Sequence, residues 1–200
     1  MMSTDEKYTS ATHASNLRVE ADRTGQADVI IAAGMSPSRL GAALLRLHSE
    51  RDGASMPPPM TPERIELYAR TLTGTQTEKL AKAHRIAHDW HKHELALMLF
   101  RLKSLPMVRA ELRRVADGYG IAGDVAVEVL FWWLDKVCKT CNGVQREVIP
   151  NTPMLGRTCP ACKGTGEARL PGGDQGRRIE SYINDALSAA RVSIKRRLRG

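Results

Sequence analysis

The chain has four cysteines, Cys138, Cys141, Cys159 and Cys162, arranged as two C-x2-C pairs separated by residues 142–158. Each pair sets two thiolates close enough to share one ion, and four thiolates complete the tetrahedral shell of zinc. No coordination position is left for water or substrate, so the expected cofactor is one structural Zn2+. Glycine follows both pairs, in Asn142-Gly143 and in Lys163-Gly164-Thr165-Gly166, where a knuckle needs a positive φ just after its second cysteine. The spacer carries Pro150, Pro153, Gly156 and a single apolar pair, Val148-Ile149, too little apolar surface to fold without the metal. Two disulfides, or one redox pair, are the competing readings. Residues 1–16 contain no apolar run of the signal-peptide kind, so the expected compartment is cytoplasmic, where thiols stay reduced. A redox pair predicts neither the second C-x2-C nor the glycines.

A second set of candidate ligands is His84, His88 and His91, at i, i+4 and i+7, with His93 close by. Ile86, Trp90 and Leu97 define the expected apolar face of that helix and the three histidines lie opposite, so the reading is a solvated histidine face. The order of a Ser/His/Asp triad, a phosphate loop and H-E-x-x-H are all missing from the sequence, and no catalytic activity is expected.

The surrounding pattern is helical, which predicts a mainly α fold. A helical domain carries an inserted four-cysteine knuckle module with a little β structure, followed by a long basic C-terminal helix. Residues 1–15 are polar and aperiodic and read as a disordered tail. Residues 16–48 read as a helix-turn-helix-like hairpin: Val29, Ile30, Ala32 and Ala33, then Gly34, then Ser36-Pro37 as a cap with proline at the first helical position. Leu40, Ala43, Leu44 and Leu47 share one face of its second helix. Residues 49–61 form a linker with Pro57-Pro58-Pro59, and residues 62–136 a helical core. Within that core Thr61-Pro62 starts a helix that buries Ile65, Tyr68, Ala69 and Leu72. A long helix over residues 76–105 stops before Pro106, and a short one buries Val108, Leu112 and Val115. The helix over residues 125–135 is apolar nearly all round and includes Trp132 and Trp133, which read as core rather than as a base-stacking platform. The cysteine module spans residues 137–171 and the last helix residues 172–200, with Ile179, Ile183, Ala186, Leu187, Ala190, Ile194 and Leu198 inward.

No stretch approaches the roughly 20 apolar residues of a membrane span. Thirty Lys and Arg against 22 Asp and Glu give +8. Four thiolates and one zinc ion together carry about −2, leaving an excess that favours a polyanionic partner. Arg177, Arg191, Lys195 and Arg199 form a stripe on the last helix, with Ser181, Asn184 and Ser188 between them. Seven basic and two acidic side chains in residues 176–200 exceed what a helix C-terminus needs, so the stripe reads as a phosphate-contacting surface.

Together these features resemble the Q antitermination proteins of lambda-type phages. The resemblance is carried by Asp28-Val29 through Gly34-Met35 and the helix after it, and by Cys138-Lys139-Thr140-Cys141-Asn142-Gly143. It is carried further by Cys159-Pro160-Ala161-Cys162-Lys163-Gly164-Thr165-Gly166 and by Arg169-Leu170-Pro171. Residues 49–125 match only in being helical. It implies a DNA-binding regulator of host RNA polymerase, with the sigma factor as a further candidate contact. Such a regulator loads near a late promoter in the bacterial cytoplasm and lets the polymerase read through terminators. The four cysteines carry over as zinc ligands. Charge and placement add the candidate DNA contacts: Lys139, Arg157, Lys163 and Arg169 beside the knuckles, and Ser36, Ser38 and Arg39 at the start of the hairpin's second helix. The alternative is a chaperone-like or adaptor protein with a DnaJ-type knuckle. DnaJ-type chaperones carry four C-x2-C-x-G-x-G units; this chain has two, Val144-Gln145 replaces the second glycine of the first, and no His-Pro-Asp is present. The oligomeric state stays open.

Overall fold

The computed structural model describes residues 3–14, 25–55, 57, 58, 60–148 and 155–199. Residues 15–24 of the expected tail and hairpin, Pro59 of the linker, and Ile149, Pro150 and Pro153 of the spacer lie outside the described residues. Among those described there are eight helices and one two-stranded antiparallel sheet, the mainly α architecture with a little β structure at the cysteines that the sequence implies.

Two helices form the spine, α3 (Arg39–Asp52) and α8 (Gly173–Arg197). Leu44 and Leu47 on α3 and Ile179, Ile183 and Ile194 on α8 are fully buried, as their helical spacing requires. The two backbones approach so closely that a Cβ on Gly41 would lie 2.0 Å from the Ala186 carbonyl oxygen. Ser38 closes the same crossing: its Oγ donates to the Ala186 carbonyl at 2.9 Å and accepts the Gly41 N–H at 3.2 Å. The N-cap of α3 is therefore Ser38, not Ser36, and Pro37 stands before the helix. The helix also runs to Asp52, which shortens the expected linker.

Around this spine pack α2 (Gln26–Gly34), α6 (Leu105–Gly118) and α7 (Gly123–Leu134). They contribute Val29, Val108, Leu112, Ala116, Val129 and Leu130 to one core. Residues 4–12, expected to be disordered, form helix α1 (Thr4–Thr12). A capping box ties its start: the Glu6 N–H donates to Ser3 Oγ and the Ser3 N–H to Glu6 Oε2. Tyr8 and Ala11 are buried in the main core, and Asp5 accepts two bonds from the Arg191 guanidinium, one of them 2.8 Å from Nε.

Helix α4 (Pro62–Arg70) begins at Thr61, as expected, and pairs with α5 (Gln76–Phe100). Ile65, Ala69, Ala83 and Ala87 make a small cluster separate from the main core, whereas Leu95, Met98 and Leu99 at the other end of α5 join the main core. Three expectations are corrected here. Tyr68 is exposed. The face of α5 turned inward is the alanine face, not the one with Ile86, Trp90 and Leu97. And α5 ends at Phe100, with Pro106 in the first turn of α6, where its missing N–H costs no helical bond. Glu50 holds that corner by accepting from the Ser104 N–H at 2.9 Å and from its hydroxyl at 3.0 Å.

Candidate metal centre

The module hangs between the end of α7 and the start of α8. Strand β1 (Arg146–Val148) pairs antiparallel with β2 (Leu155–Thr158), placing Arg146 opposite Thr158, and each strand joins a knuckle. The two knuckles repeat one another about an approximate two-fold axis. The first cysteine of each donates its N–H across to the other knuckle, Cys138 to the Gly166 carbonyl and Cys159 to the Gln145 carbonyl, both at 2.9 Å. Each turn closes on its own second cysteine, through Val144 N–H to the Cys141 carbonyl and Thr165 N–H to the Cys162 carbonyl. The backbone conformations match as well: φ is +48° at Asn142 and +53° at Lys163, +82° at Gly143 and +86° at Gly164, and +70° at Gln145 and +79° at Gly166. The left-handed residue directly after the second cysteine is thus Asn or Lys, and glycine occupies the next position. Gln145 adopts the conformation for which its counterpart is glycine.

These turns bring four buried sulfurs together, all within 4.8 Å of one another. All four cysteines are free thiols. Cys141 Sγ and Cys162 Sγ stand 3.7 Å apart. Sulfurs about 2.3 Å from a shared zinc would be about 3.8 Å apart, whereas a disulfide needs about 2.05 Å. The arrangement can hold one metal ion and is compatible with zinc. Burial opposes ionisation of Cys162, but the N–H groups of Gly166 and Gly164 turned to its sulfur bring the thiol down to about 6. The N–H of Cys141 lowers Cys138. Burial dominates at Cys141, outweighing the Gln145 N–H, and pushes that thiol up to about 11. A divalent cation shared by the four sulfurs would favour the thiolate form of each.

The module is fixed to the helical body at several points. Val137 and Glu167 form an antiparallel bridge, and the Ala168 N–H donates to the Lys136 carbonyl at 2.7 Å. Trp132 Nε1 donates to the Ala168 carbonyl at 2.8 Å, and Lys136 Nζ lies 4.5 Å from the centre of the same indole. Trp133 meets His48 of α3 edge to face. The tryptophans are thus joints between parts of the molecule, which their apolar neighbours in sequence do not reveal. Asp135 pairs with Lys139 and lies 3.9 Å from Arg51. Burial works against its charge, but the Lys139 ammonium, the Val137 N–H and Arg51 outweigh it and hold the carboxyl below the ordinary range.

The candidate DNA contacts divide into free and occupied groups. Arg157, Lys163 and Arg169 are exposed around the knuckles, together with Arg146, which the sequence reading missed. Their acidic neighbours are Glu147 and Glu167. Lys139 is paired with Asp135, Arg177 with Asp174, and Arg191 with Asp5. Lys195 and Arg199 are exposed near the end of α8. Ser36 is buried, Ser38 is half-buried and spent on Ala186, and Arg39 is exposed. Leu40, Gly41, Ala43, Leu44, Leu45, Leu47 and Ser49 are buried, and the exposed residues of α3 are Arg39, Arg46 and Asp52. Of the expected solvated face His84 and His88 are exposed but His91 is half-buried, and His93 is exposed; the four cysteines are the only metal-ligating cluster among the described residues. No described helix is long and apolar enough to cross a membrane. Comparison with protein-family models, curated proteins and solved structures finds no match to the chain.

Proposed function

We propose that this protein is a non-catalytic, DNA-binding regulator of transcription of the Q antitermination type, in which one structural zinc orders the cysteine module. The module, rather than the helical hairpin, presents the DNA-contacting surface. The observation that carries this reading is the four-cysteine module, mounted on the helical body with Arg146, Arg157, Lys163 and Arg169 exposed at its surface, while Ser36 of the hairpin is buried and Ser38 is bonded to Ala186. Cations on a fixed platform suit phosphates, and the body helices α7 and α8 hold that platform in one orientation. Four thiolates fill the zinc shell, so the metal's role is structural. Host RNA polymerase, with its sigma factor, is the protein partner of this reading, and the host cytoplasm its compartment.

Run-off transcription with the host polymerase tests it, on a template with a late promoter and a downstream terminator. Read-through that needs both the protein and the promoter-proximal DNA is the expected result; unchanged termination sinks the antitermination reading. A separate measurement addresses the surface. Replacing Arg157, Lys163 and Arg169 by Ala should lower the salt slope of DNA binding by about 0.9 per lost phosphate contact, whereas Ser38→Ala should leave it unchanged. An adaptor with a DnaJ-type knuckle predicts instead that binding to its partner ignores salt.

A further inference from the structure

Helix α5 carries an apolar stripe that the described residues leave exposed. Ile86, Trp90, Leu97 and Phe100 are 40%, 39%, 40% and 69% exposed. With His93 between them they follow the 4-3-4-3 spacing of a helix-pairing seam and stay within an arc of roughly 80° over about 21 Å of helix. Isolated apolar side chains on a surface need no explanation, but four in one line do. The inward side of this stretch buries alanines, Ala83 and Ala87, on α4, so α4 and α5 form a two-helix arm whose own core is one small cluster. Such an arm still has a helix-sized apolar face to cover.

Charge selects the occupant. Over residues 79–103 six basic side chains stand against two acidic ones, Asp89 and Glu94. None of the six takes part in an ion pair among the described residues. Lys79 and Lys82 continue the line of the stripe at one end and Arg101 borders it at the other. A second copy of the chain pairing antiparallel about His93 would set Lys82 and Arg85 against Arg101 and Lys103 of its partner. Parallel pairing would set each cation against itself. Like charges at both ends of the seam disfavour self-association and favour a partner with acidic ends.

We infer that the Ile86–Phe100 face of α5 is a docking surface for an acidic amphipathic helix of another protein, one whose apolar side chains repeat at the same spacing with carboxylates flanking them. The surface is separate from the cysteine module and does not depend on its contacting DNA.

Two synthetic helical peptides test this with the full-length, metal-loaded protein. Both carry leucine at the 4-3-4-3 spacing, one flanked by glutamate and the other by lysine. The acidic peptide should bind, more tightly at low salt, and the basic one should not. Trp90→Ala with Phe100→Ala should weaken binding at least about tenfold, with helicity and metal content unchanged because both side chains are exposed. Leu67→Ala, on α4 and off the stripe, should change nothing. Equal binding of the two peptides, or undiminished binding to the double variant, overturns the proposal. So does sedimentation of the wild-type chain as a dimer that the double variant converts to a monomer, because the stripe would then belong to a second copy.

Discussion

In the helical body, Leu44, Leu47, Val108, Leu112, Val129, Ile179, Ile183 and Ile194 are removed from water and pack on one another. In the cysteine module, residues 137–168, the buried side chains among those described are the four cysteines, while Val137 and Val144 are exposed. One region is held by many small apolar contributions; the other, on the proposed function, would be held by one set of ligands. The body should therefore yield by degrees when side chains are trimmed, and the module should fail all at once when a single ligand is lost.

The largest effect follows directly. Structural zinc contributes apparent binding free energies of about 10 kcal/mol or more, and among the described residues the knuckles bury no side chain besides the cysteines. Cys159→Ser, or a strong chelator, should release the metal and expose the amides of Cys138, Cys159 and Ala168 to hydrogen exchange. The α3 and α8 amides should stay protected. Retained metal and unchanged exchange in the variant would falsify the ligand assignment; collapse of α3 and α8 as well would show that the two regions are one cooperative unit.

The complementary break is made in the body. Ile183 is fully buried on α8, facing the main core. Ile183→Ala should cost about 2–5 kcal/mol in urea unfolding, as large-to-small core changes do. Its metal content should remain that of the wild type. Loss of the ion from this variant would mean that the module depends on the body.

The sequence announced the module more clearly than the body, for a physical reason. Thiolates at C-x2-C spacing have few alternative uses, so the gathering of the four cysteines was legible, as was the inward face of α8 with its repeated isoleucines. What α3 buries was only half legible, because Gly41, Leu45 and Ser49 are covered by neighbours that the helix's own periodicity does not name. On α5 hydrophobicity pointed to Ile86, Trp90 and Leu97, but close approach to α4 selected Ala83 and Ala87. Helix α1 was missed because Tyr8 and Ala11 are a thin apolar signal; the Ser3–Glu6 capping box was the available clue. Asp135 and Lys139 are an i,i+4 pair visible in the sequence, but Arg51 reaches Asp135 from α3, which no local pattern encodes.

Within the module the two knuckles build one backbone geometry from different residues. A Cβ on Gly166 would lie 2.9 Å from the Gly143 carbonyl oxygen, at φ +79°. Gly166→Ala should therefore cost about 1–2 kcal/mol or more, from left-handed strain with the clash added. Gln145 and Lys163 already bear such strain, at φ +70° and +53°. Gln145→Gly and Lys163→Gly should each gain about 0.5–1 kcal/mol, the relief less glycine's greater entropy in the unfolded chain. Thermal unfolding of the metal-loaded proteins reads both signs, and a loss on Gln145→Gly would mean that the strain is absent.

The smallest effect lies at the seam between the two regions. The Asp135 carboxyl is held below its ordinary range in the folded protein. Its contribution is therefore present above the unfolded carboxylate value, about 4, and is lost as the pH falls below it. The pairing with Lys139 and Arg51 is partly exposed, so about 0.5–1 kcal/mol is the expected scale. Asp135→Asn should lower stability by that amount at pH 7 and converge on the wild type in acid. The convergence is best followed by unfolding of the helical body, because acid also protonates the thiolates and releases the metal. A constant difference between the two proteins down to pH 3 would assign Asp135 a packing role instead of an electrostatic one.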